Sequence, residues 1–366
     1  MRYLTALTCT ALILCACGTK TAKPTAAGET MGEFKVLVSN PITPVKNQYR
    51  TKNCWCYAGI SFLESEAIRK NNLKEEDYPD FAEMFLVSNE LRERAVKYVR
   101  LRGNLRLWSG SEPEDVVRHL MPTHGLVPQE VMDGWVREGE RDHKPLYQEV
   151  KDYADSVMAT KGNHFNEWLP GLEAVIDSYL GHCPETFEWK GRTWTPAQYR
   201  DSFGLNPDDY VSFTSFTHHP FYTQFPMEVM DNWRWDMAWN LPLDEFMNVL
   251  YGALENGYTA AFASDTSEPG YDRQRRIFNY DGIPTQESRQ EDFDRRLTTD
   301  DHAIHFFGIA EGPGGMKYLM VKDSHGPKGD FGGLDFMSDT YCRAKCVQFM
   351  VHKDAVPKAL RKKLGI

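Results

Sequence analysis

The chain has 366 residues, of which 41% are hydrophobic and 26% charged, and its formal net charge at pH 7 is −10. A chain of this length and ordinary composition can bury a sizeable core, which excludes a disordered, collagen-like or disulfide-framework protein. The acidic balance argues against a nucleic-acid partner, because phosphate contacts require clustered Lys and Arg side chains. Aromatic residues make up 13% of the chain, which is typical of a heavily packed core or an aromatic-lined cleft.

The first residues predict a lipoprotein signal sequence. Arg2 is followed by an almost uninterrupted apolar run at 3–16, which is too short to span a bilayer. The run ends in LCACG (14–18), which is similar to the bacterial lipobox. This similarity implies that residues 1–16 are removed and that Cys17 is acylated, so that the protein is anchored to a membrane of the bacterial cell envelope. A plain secretory signal and an N-terminal core helix are the alternatives.

The rest of the chain predicts a tether at 17–37 and one globular domain at 38–366. Helical patterns come first, and a charged, Trp-rich stretch at about 130–205 indicates a helical insertion within the domain. Strand patterns come last, so the sequence predicts an α+β fold. The predicted helices cover about 54–70, 88–102, 113–121, 146–160, 165–180, 193–203 and 241–256, and the predicted strands 259–263, 303–310, 318–323 and 345–352.

One cysteine stands in a context suited to catalysis. Segment 44–58 reads PVKNQYRTKNCWCYA, in which Gln48 precedes Cys54 by six residues and Cys54 opens a predicted helix. The positive end of the helix dipole favours a thiolate at that position. The side-chain amide of Gln48 and the backbone N–H of Cys54 would form an oxyanion hole with two donors.

A thiolate nucleophile needs an imidazole partner, which usually lies far away in the sequence. The best candidate is His302, at the start of a predicted strand. The next strand returns with the sequence VKDSHG (321–326), so we expect Asp323 to lie beside His302 and to orient its ring.

Together these motifs resemble the papain-like cysteine peptidases, and more narrowly the bleomycin hydrolase and aminopeptidase C family. The resemblance runs from about residue 45 to residue 366 and implies a papain-like fold, with a helical N-terminal lobe, a C-terminal lobe similar to an antiparallel β-barrel, and an active-site cleft between them. The segments that carry it include NQYRTKNCWCYA, SFTHHPFY, DDHAIHFFGIA, YLMVKDSHG and GDFGGLDFMSDTYCRAKC.

The resemblance implies that Cys54 is the nucleophile, His302 the general base and acid, and Gln48 the oxyanion donor. The residue that orients the histidine is Asn in the family, whereas this chain has Asp323. A carboxylate stabilises an imidazolium more strongly than an amide does, so we expect the pH optimum to move upward. The Trp that follows in the family is His325 here, which removes an aromatic shield over the contact between histidine and carboxylate.

Three further residues are predicted to contact substrate. Gly110 matches the first position of a Gly-Gly pair that lines the substrate backbone in the family, and Ser111 stands at the second position. Trp55, next to the nucleophile, is also expected at the site. In the family the C-terminal tail lies in the cleft, which implies that the carboxylate of Ile366 would meet the α-ammonium of the substrate. The alternative is that this tail, AVPKALRKKLGI, forms a short basic helix on the surface. The cleft would then be open to longer substrates, and the protein would be an endopeptidase.

The predicted function is therefore a cysteine aminopeptidase that hydrolyses peptides through a thioester, without a metal or cofactor. The rival hypothesis is a catalytically weak peptide-binding lipoprotein, motivated by Ser111, Asp323 and His325. The expected partners are peptides and, through acylated Cys17, a lipid bilayer. A homo-oligomer also remains open, and nothing local in the sequence specifies its interface.

Three further cysteines and one histidine pair are predicted to be structural rather than metal ligands. They are Cys56, Cys342, Cys346 and the adjacent residues His218-His219. Cys56 follows Cys54 by two positions on a helix, so it points elsewhere. If Cys342 and Cys346 shared one strand, they would lie roughly 13 Å apart, too far for a disulfide.

Overall fold

The computed structural model describes residues 26–107, 110–137, 139, 141–162 and 164–366, so the predicted signal sequence and Cys17 lie outside the described residues. The helices are α1 (Cys54–Asn71), α2 (Glu83–Arg100), α3 (Pro113–Asp115), α4 (Met121–His124), α5 (Lys144–Ala159), α6 (Phe165–Leu180), α7 (Pro196–Asp201), α8 (Leu243–Glu255), α9 (Gln286–Asp294), α10 (Asp339–Lys345) and α11 (Lys358–Leu364), with a π-helical stretch at Val116–Leu120. No helix in this part of the chain has both the length and the apolar character needed to cross a membrane.

The strands are short and most of them lie in the second half of the chain. They are β1 (Thr30–Met31), β2 (Phe34–Ser39), β3 (Phe187–Trp189), β4 (Arg192–Trp194), β5 (Tyr210–Thr214), β6 (Gln224–Pro226), β7 (Met237–Asn240), β8 (Ala260–Ser264), β9 (Tyr271–Asp272), β10 (Ile277–Phe278), β11 (His302–Glu311), β12 (Lys317–Lys322), β13 (Leu334–Ser338) and β14 (Cys346–His352).

Helix α1 is the centre of the N-terminal lobe. It contacts α2, α3, β8 and β11, and its side chains are buried on almost every side from Trp55 to Ile68. Gly59 permits a close approach, because a Cβ atom there would lie 2.7 Å from the Cβ atom of Val116. The helix ends at Asn72, whose φ of 48° and ψ of 47° are the left-handed conformation that stops a helix.

The predicted helical insertion contains α5, α6, the β3–β4 hairpin and α7. Helices α5 and α6 contact each other and α2. Their apolar residues Leu146, Val150, Leu172 and Ile176 belong to the same hydrophobic cluster as α1. The insertion and the nucleophile helix therefore share one core.

One twelve-stranded sheet forms the second lobe. Its main path runs in the order β6-β7-β5-β14-β8-β11-β12-β13-β10-β9, and β2 joins beside β11 and pairs with β1. The long strand β11 pairs antiparallel with β8 through residues 302–306, with β2 through 308–311, and with β12 on its other side. The pairs β5–β7 and β10–β13 are parallel, so the lobe is mixed rather than wholly antiparallel.

The two faces of this sheet pack against different helices. Ala303 faces the cluster that contains α1, whereas Phe262 and Phe306, stacked at 3.6 Å between ring centroids, belong to the cluster that contains α8. Leu360 and Leu364 of α11 belong to the second cluster. The C-terminal helix therefore packs on the face of the sheet opposite to α1.

Cys342 and Cys346 do not share one strand, because Cys346 begins β14 and Cys342 precedes it in a helix. Cys342 lies in α10, because the Ser338 side chain accepts a hydrogen bond from the backbone N–H of Tyr341 and caps a short helix. Cys342 and Cys346 are both buried and unbridged, as Cys56 is, and Cys183 is a free thiol of intermediate exposure. Burial and the neighbouring Cys346 raise the pKa of the Cys342 thiol well above its usual value.

Candidate active site

Cys54 is the first residue of α1, and the segment before it is fixed by helix α5. The Tyr147 hydroxyl lies 3.1 Å from the carbonyl oxygen of Thr51 and 2.7 Å from Oδ1 of Asn53. The side-chain amide of Asn53 lies 3.0 Å from Nδ1 of His143, and burial lowers the pKa of His143 to about 4, so its neutral ring accepts this bond at pH 7. The predicted insertion thus positions the nucleophile.

His302 is the first residue of β11, and its ring lies between Cys54 and Asp323. Its Nε2 atom is 2.8 Å from Oδ1 of Asp323. Burial lowers the pKa of His302, but the charges of Asp323 and Cys54, with side-chain hydrogen bonds to both, raise this pKa well above 6.5. Because Nε2 faces Asp323, Nδ1 is the ring atom left for Cys54.

The Asp323 carboxylate accepts hydrogen bonds from four groups. Besides Nε2 of His302, Oδ1 accepts the backbone N–H of Ser324 at 2.7 Å. Oδ2 accepts from Nδ1 of His325 and from Nη2 of Arg276, each at 2.8 Å. Burial alone would raise the pKa of Asp323, but the charges and hydrogen bonds of the two histidines lower it well below its usual range. The carboxylate is therefore ionised and held in a fixed orientation.

Sequence reasoning missed Arg276. Its side chain is 10% exposed, and Nη2 also donates to Oδ2 of Asp335 at 2.8 Å, while the Tyr271 hydroxyl donates to Oδ1 of Asp335 at 3.0 Å. Arg276 lies in the turn between β9 and β10 with a φ of 62°. No motif marks it among the neighbouring arginines, and the only available signal was the buried charge of Asp323, which needs a cation nearby.

Gln48 is held beside this network by Ser324. Its backbone N–H donates to the carbonyl oxygen of Ser324 at 2.7 Å, and its Oε1 accepts from the Ser324 hydroxyl at 2.5 Å. The second bond fixes the orientation of the side-chain amide and turns its N–H groups away from Ser324. Gln48 is only 6% exposed, so its amide has a defined position.

Gly110 has the conformation and the packing that glycine permits. Its φ is 86°, and a Cβ atom there would lie 2.0 Å from Oδ1 of Asp231. Ser111, at the second position of the pair, is buried, and its hydroxyl lies 2.9 Å from Nε1 of Trp233 and 2.5 Å from Oδ2 of Asp115. Ser111 therefore supports the segment from inside the protein.

Two predicted substrate contacts do not lie at the site. Trp55 is 2% exposed and packs in the core, because successive residues on a helix point in directions about 100° apart and only Cys54 faces out. The structure therefore contradicts a substrate contact at Trp55. The prediction for Ile366 also differs from the structure. Ile366 follows α11, and Leu360 and Leu364 of that helix pack on the sheet face opposite to α1.

Two cavities are lined by residues of the site or by residues close to Cys54 in the chain. One has a volume of about 420 Å³ and is lined by His302, Asp323, His325, Arg276 and other residues. The other has a volume of about 500 Å³, and its wall includes residues just before Cys54 and part of α5.

The site also contains a set of side chains with the spacing of metal ligands. One ligand atom each of His302, Asp323 and His325 lies within 4.8 Å of the others. The Arg276 guanidinium is bonded to the same carboxylate, and its positive charge opposes a cation there. His218 and His219 form a similar group with Glu228 on the surface.

Comparisons with known proteins show what this chain is similar to. The family model described as "Peptidase C1-like family" matches residues 115–365, a range that includes His302 and Asp323 and begins after Cys54. The chain is 24% identical over 368 residues to aminopeptidase C of Lactobacillus helveticus, covering 86% of this chain and 81% of the relative. The crystal structure of PepW from Lactobacillus rhamnosis HN001 matches with a TM-score of 0.68 at 18% identity, covering 90% of this chain and 84% of that one. This second match shows a shared fold.

Proposed function

Because the chain belongs to the Peptidase C1-like family and is a cysteine peptidase of papain-like fold, we propose that it is an aminopeptidase with the catalytic group Cys54, His302 and Asp323. The observation that carries this proposal is the His302 ring, whose Nε2 lies 2.8 Å from Oδ1 of Asp323 and whose pKa is raised by the charges of Asp323 and Cys54. The raised pKa of His302 favours an imidazolium beside a thiolate, which is the reactive form of such a pair.

The proposed reaction has two steps. The Cys54 thiolate attacks the scissile carbonyl carbon, and the oxyanion accepts hydrogen bonds from the Gln48 amide and the Cys54 N–H. The imidazolium of His302 gives its Nδ1 proton to the leaving amine, the C–N bond breaks, and a thioester remains. Water then loses a proton to His302 and attacks the thioester, the C–S bond breaks, and the acid and the thiolate are released.

The aminopeptidase mode is supported by the name of the relative from Lactobacillus helveticus. One observation favours a second candidate, an endopeptidase. Helix α11 packs on the far face of the sheet, so the carboxylate of Ile366 does not stand in the cleft as a receptor for an α-ammonium. The products from a long peptide distinguish the two modes, because an aminopeptidase removes single residues from the N-terminus and leaves N-acetylated peptides intact.

The test of the catalytic group compares two neighbouring cysteines. We expect Cys54→Ala to abolish hydrolysis of unblocked peptides and rapid labelling by iodoacetamide, because the reactive thiolate is lost. The buried thiol of Cys56 offers a matched control, and Cys56→Ala should retain both. Hydrolysis that persists at the wild-type rate in Cys54→Ala would contradict the proposal. A normal fold with slow labelling of Cys54 and no hydrolysis would favour a peptide-binding protein instead.

We also propose that acylated Cys17 anchors the protein to a membrane of the bacterial cell envelope. The support is the sequence LCACG at the end of an apolar run. The mass of the mature N-terminal peptide tests this, since a lipid-modified Cys17 should be the first residue. Cys17→Ala should release the protein from membranes and Cys15→Ala should not, whereas an unmodified Cys17 would contradict the proposal.

A further inference from the structure

The cavity of about 500 Å³ is positively charged, although the protein as a whole carries a formal charge of −10. Four cationic side chains and one carboxylate stand in its described wall. They are Arg50, Lys52, Arg106, Lys144 and Asp142, with Tyr147 beside them. Cations concentrated in one concave surface of an acidic protein create a local potential that attracts anions.

The cavity is lined by residues that come just before the nucleophile in the chain and by part of α5, and His302 is not among its lining residues. Lys52 precedes Cys54 by two residues, and the Tyr147 hydroxyl in the wall contacts Asn53, the residue next to Cys54. His302 lines the other cavity, of about 420 Å³. Because His302 protonates the leaving amine, the leaving group lies on its side, and the cavity near Lys52 receives the acyl side of the scissile bond.

Two of the four cations already have carboxylate partners. Arg50 pairs with Asp142, and Arg106 pairs with Asp231, each at 3.5 Å between the nitrogen and the oxygen. Lys52 and Lys144 form no ion pair with any residue that the structure describes, and both side chains are exposed to solvent. The wall therefore presents two ammonium groups without counter-charges, close to the positive end of α1.

We propose that this cavity binds a carboxylate side chain of the substrate, on the residue that supplies the scissile carbonyl. This inference rests on the proposed function and names its substrate class, peptides with Glu or Asp at that position. A carboxylate there would pair with Lys52 and Lys144, a basic side chain would be repelled, and a neutral one would leave both ammonium groups unpaired.

The test compares fluorogenic amides of Glu and Gln, which have the same shape and differ in charge. Each is assayed with a free and with an acetylated amino group, so that both peptidase modes are covered. We expect kcat/KM to be about fivefold higher for Glu than for Gln, a ratio typical of one partly exposed ion pair. The ratio should fall toward one in 0.5 M NaCl, because salt screens exposed charges.

Charge-neutral variants assign the preference to the cavity. The double variant Lys52→Met, Lys144→Met should bring the Glu-to-Gln ratio to about one. Lys362→Met is the matched control, because this exposed lysine lies on α11 at the far face of the sheet, and it should keep the wild-type ratio. Hydrolysis with no preference for Glu, or a preference that survives the double variant, would overturn the inference and leave the peptidase assignment intact.

A binding measurement separates this inference from the proposed function. Calorimetry with Cys54→Ala protein compares peptides that begin with Glu or with Gln, without any need for turnover. Tighter binding of the Glu peptide, lost when Lys52 and Lys144 are neutral, supports the cavity even if the wild-type protein hydrolyses nothing. Equal binding of the two peptides overturns it.

Discussion

Arg276 and Asp323 form a buried ion pair in which Nη2 of the guanidinium lies 2.8 Å from Oδ2 of the carboxylate. The same guanidinium nitrogen lies 2.8 Å from Oδ2 of Asp335. Burial and the charge of Asp323 raise the pKa of Asp335 well above its usual value, against the influence of Arg276. A row of polar contacts thus extends from His302 through Asp323 and Arg276 to Asp335. This arrangement explains how a carboxylate is accommodated where the family has an amide.

Arg276→Gln should remove the cation that Asp323 and Asp335 share, while Asp323 keeps its contacts with His302 and His325. We expect a loss of about 3 kcal/mol in the free energy of unfolding, the usual effect of removing one partner of a buried pair. The basic limb of the profile of kcat/KM against pH should move to higher pH, because a positive charge near His302 has been removed. Unfolding in urea and the pH profile measure the two effects.

Two further variants test this interpretation of Arg276. Adding Asp335→Asn to Arg276→Gln should recover part of the stability, since it removes the other carboxyl group that contacted Arg276. Arg275→Gln is the control, because Arg275 is 54% exposed and pairs with Glu33 on the surface. An unchanged pH profile in Arg276→Gln would show that Arg276 serves the fold alone.

Asp323→Asn should move the basic limb of kcat/KM to lower pH. The charge of Asp323 raises the pKa of His302, so an amide in its place would let the imidazolium lose its proton at lower pH. We expect a shift of about one pH unit, the size typical of one nearby opposite charge. Titration of kcat/KM between pH 5 and pH 10 measures it, and a basic limb that stays in place would contradict the interpretation.

The proposed catalytic residues could be named from the sequence because each stands in a local motif. Cys54 opens a helix after a Gln at fixed spacing, and His302 and Asp323 begin and follow adjacent antiparallel strands. Arg276 was not predictable, because its partners Asp323 and Asp335 are more than 40 residues away in the chain and only the fold brings them together.

Side-chain direction explains the two predictions that the structure contradicts. Trp55 is adjacent to the nucleophile in sequence, but helix geometry turns it into the core. The tail looks polar in sequence, yet Leu360 and Leu364 are four residues apart and form an apolar strip that packs on the sheet. The sequence pattern of such a helix indicates which of its faces is apolar. Only the tertiary structure shows which part of the protein that face packs against.

Deletion of Ile366 should leave the products of peptide hydrolysis unchanged. The residue follows α11 on the far face of the sheet, is 37% exposed, and its backbone N–H bonds only to Arg361 of its own helix among the described residues. Mass spectrometry of the products from an unblocked peptide of about ten residues checks this. Leu364→Ala is the informative contrast, because loss of a buried leucine should cost about 3 kcal/mol of stability. New internal cleavage after deletion of Ile366 would show that the tail does reach the cleft.

Two carboxyl groups, one buried and one half-buried, predict a fall in stability as pH rises. Glu112 is 2% exposed, and burial and the neighbouring Asp300 raise its pKa well above its usual value. Burial raises the pKa of Asp300 to about 7. Both pKa values are higher in the folded than in the unfolded chain, so the folded state holds protons that the unfolded state releases. Their contribution to stability is complete below about pH 4 and disappears as pH rises through about 7.

Urea unfolding between pH 5 and pH 8 measures this linkage. The double variant Glu112→Gln, Asp300→Asn should lose less stability over this range than the wild type, by about 2 kcal/mol, because neutral amides have no proton to release. Asp281→Asn, which removes an exposed carboxylate, is the control and should leave the slope unchanged. Parallel curves for the double variant and the wild type would mean that the pKa values of the two carboxyl groups are not raised in the folded protein.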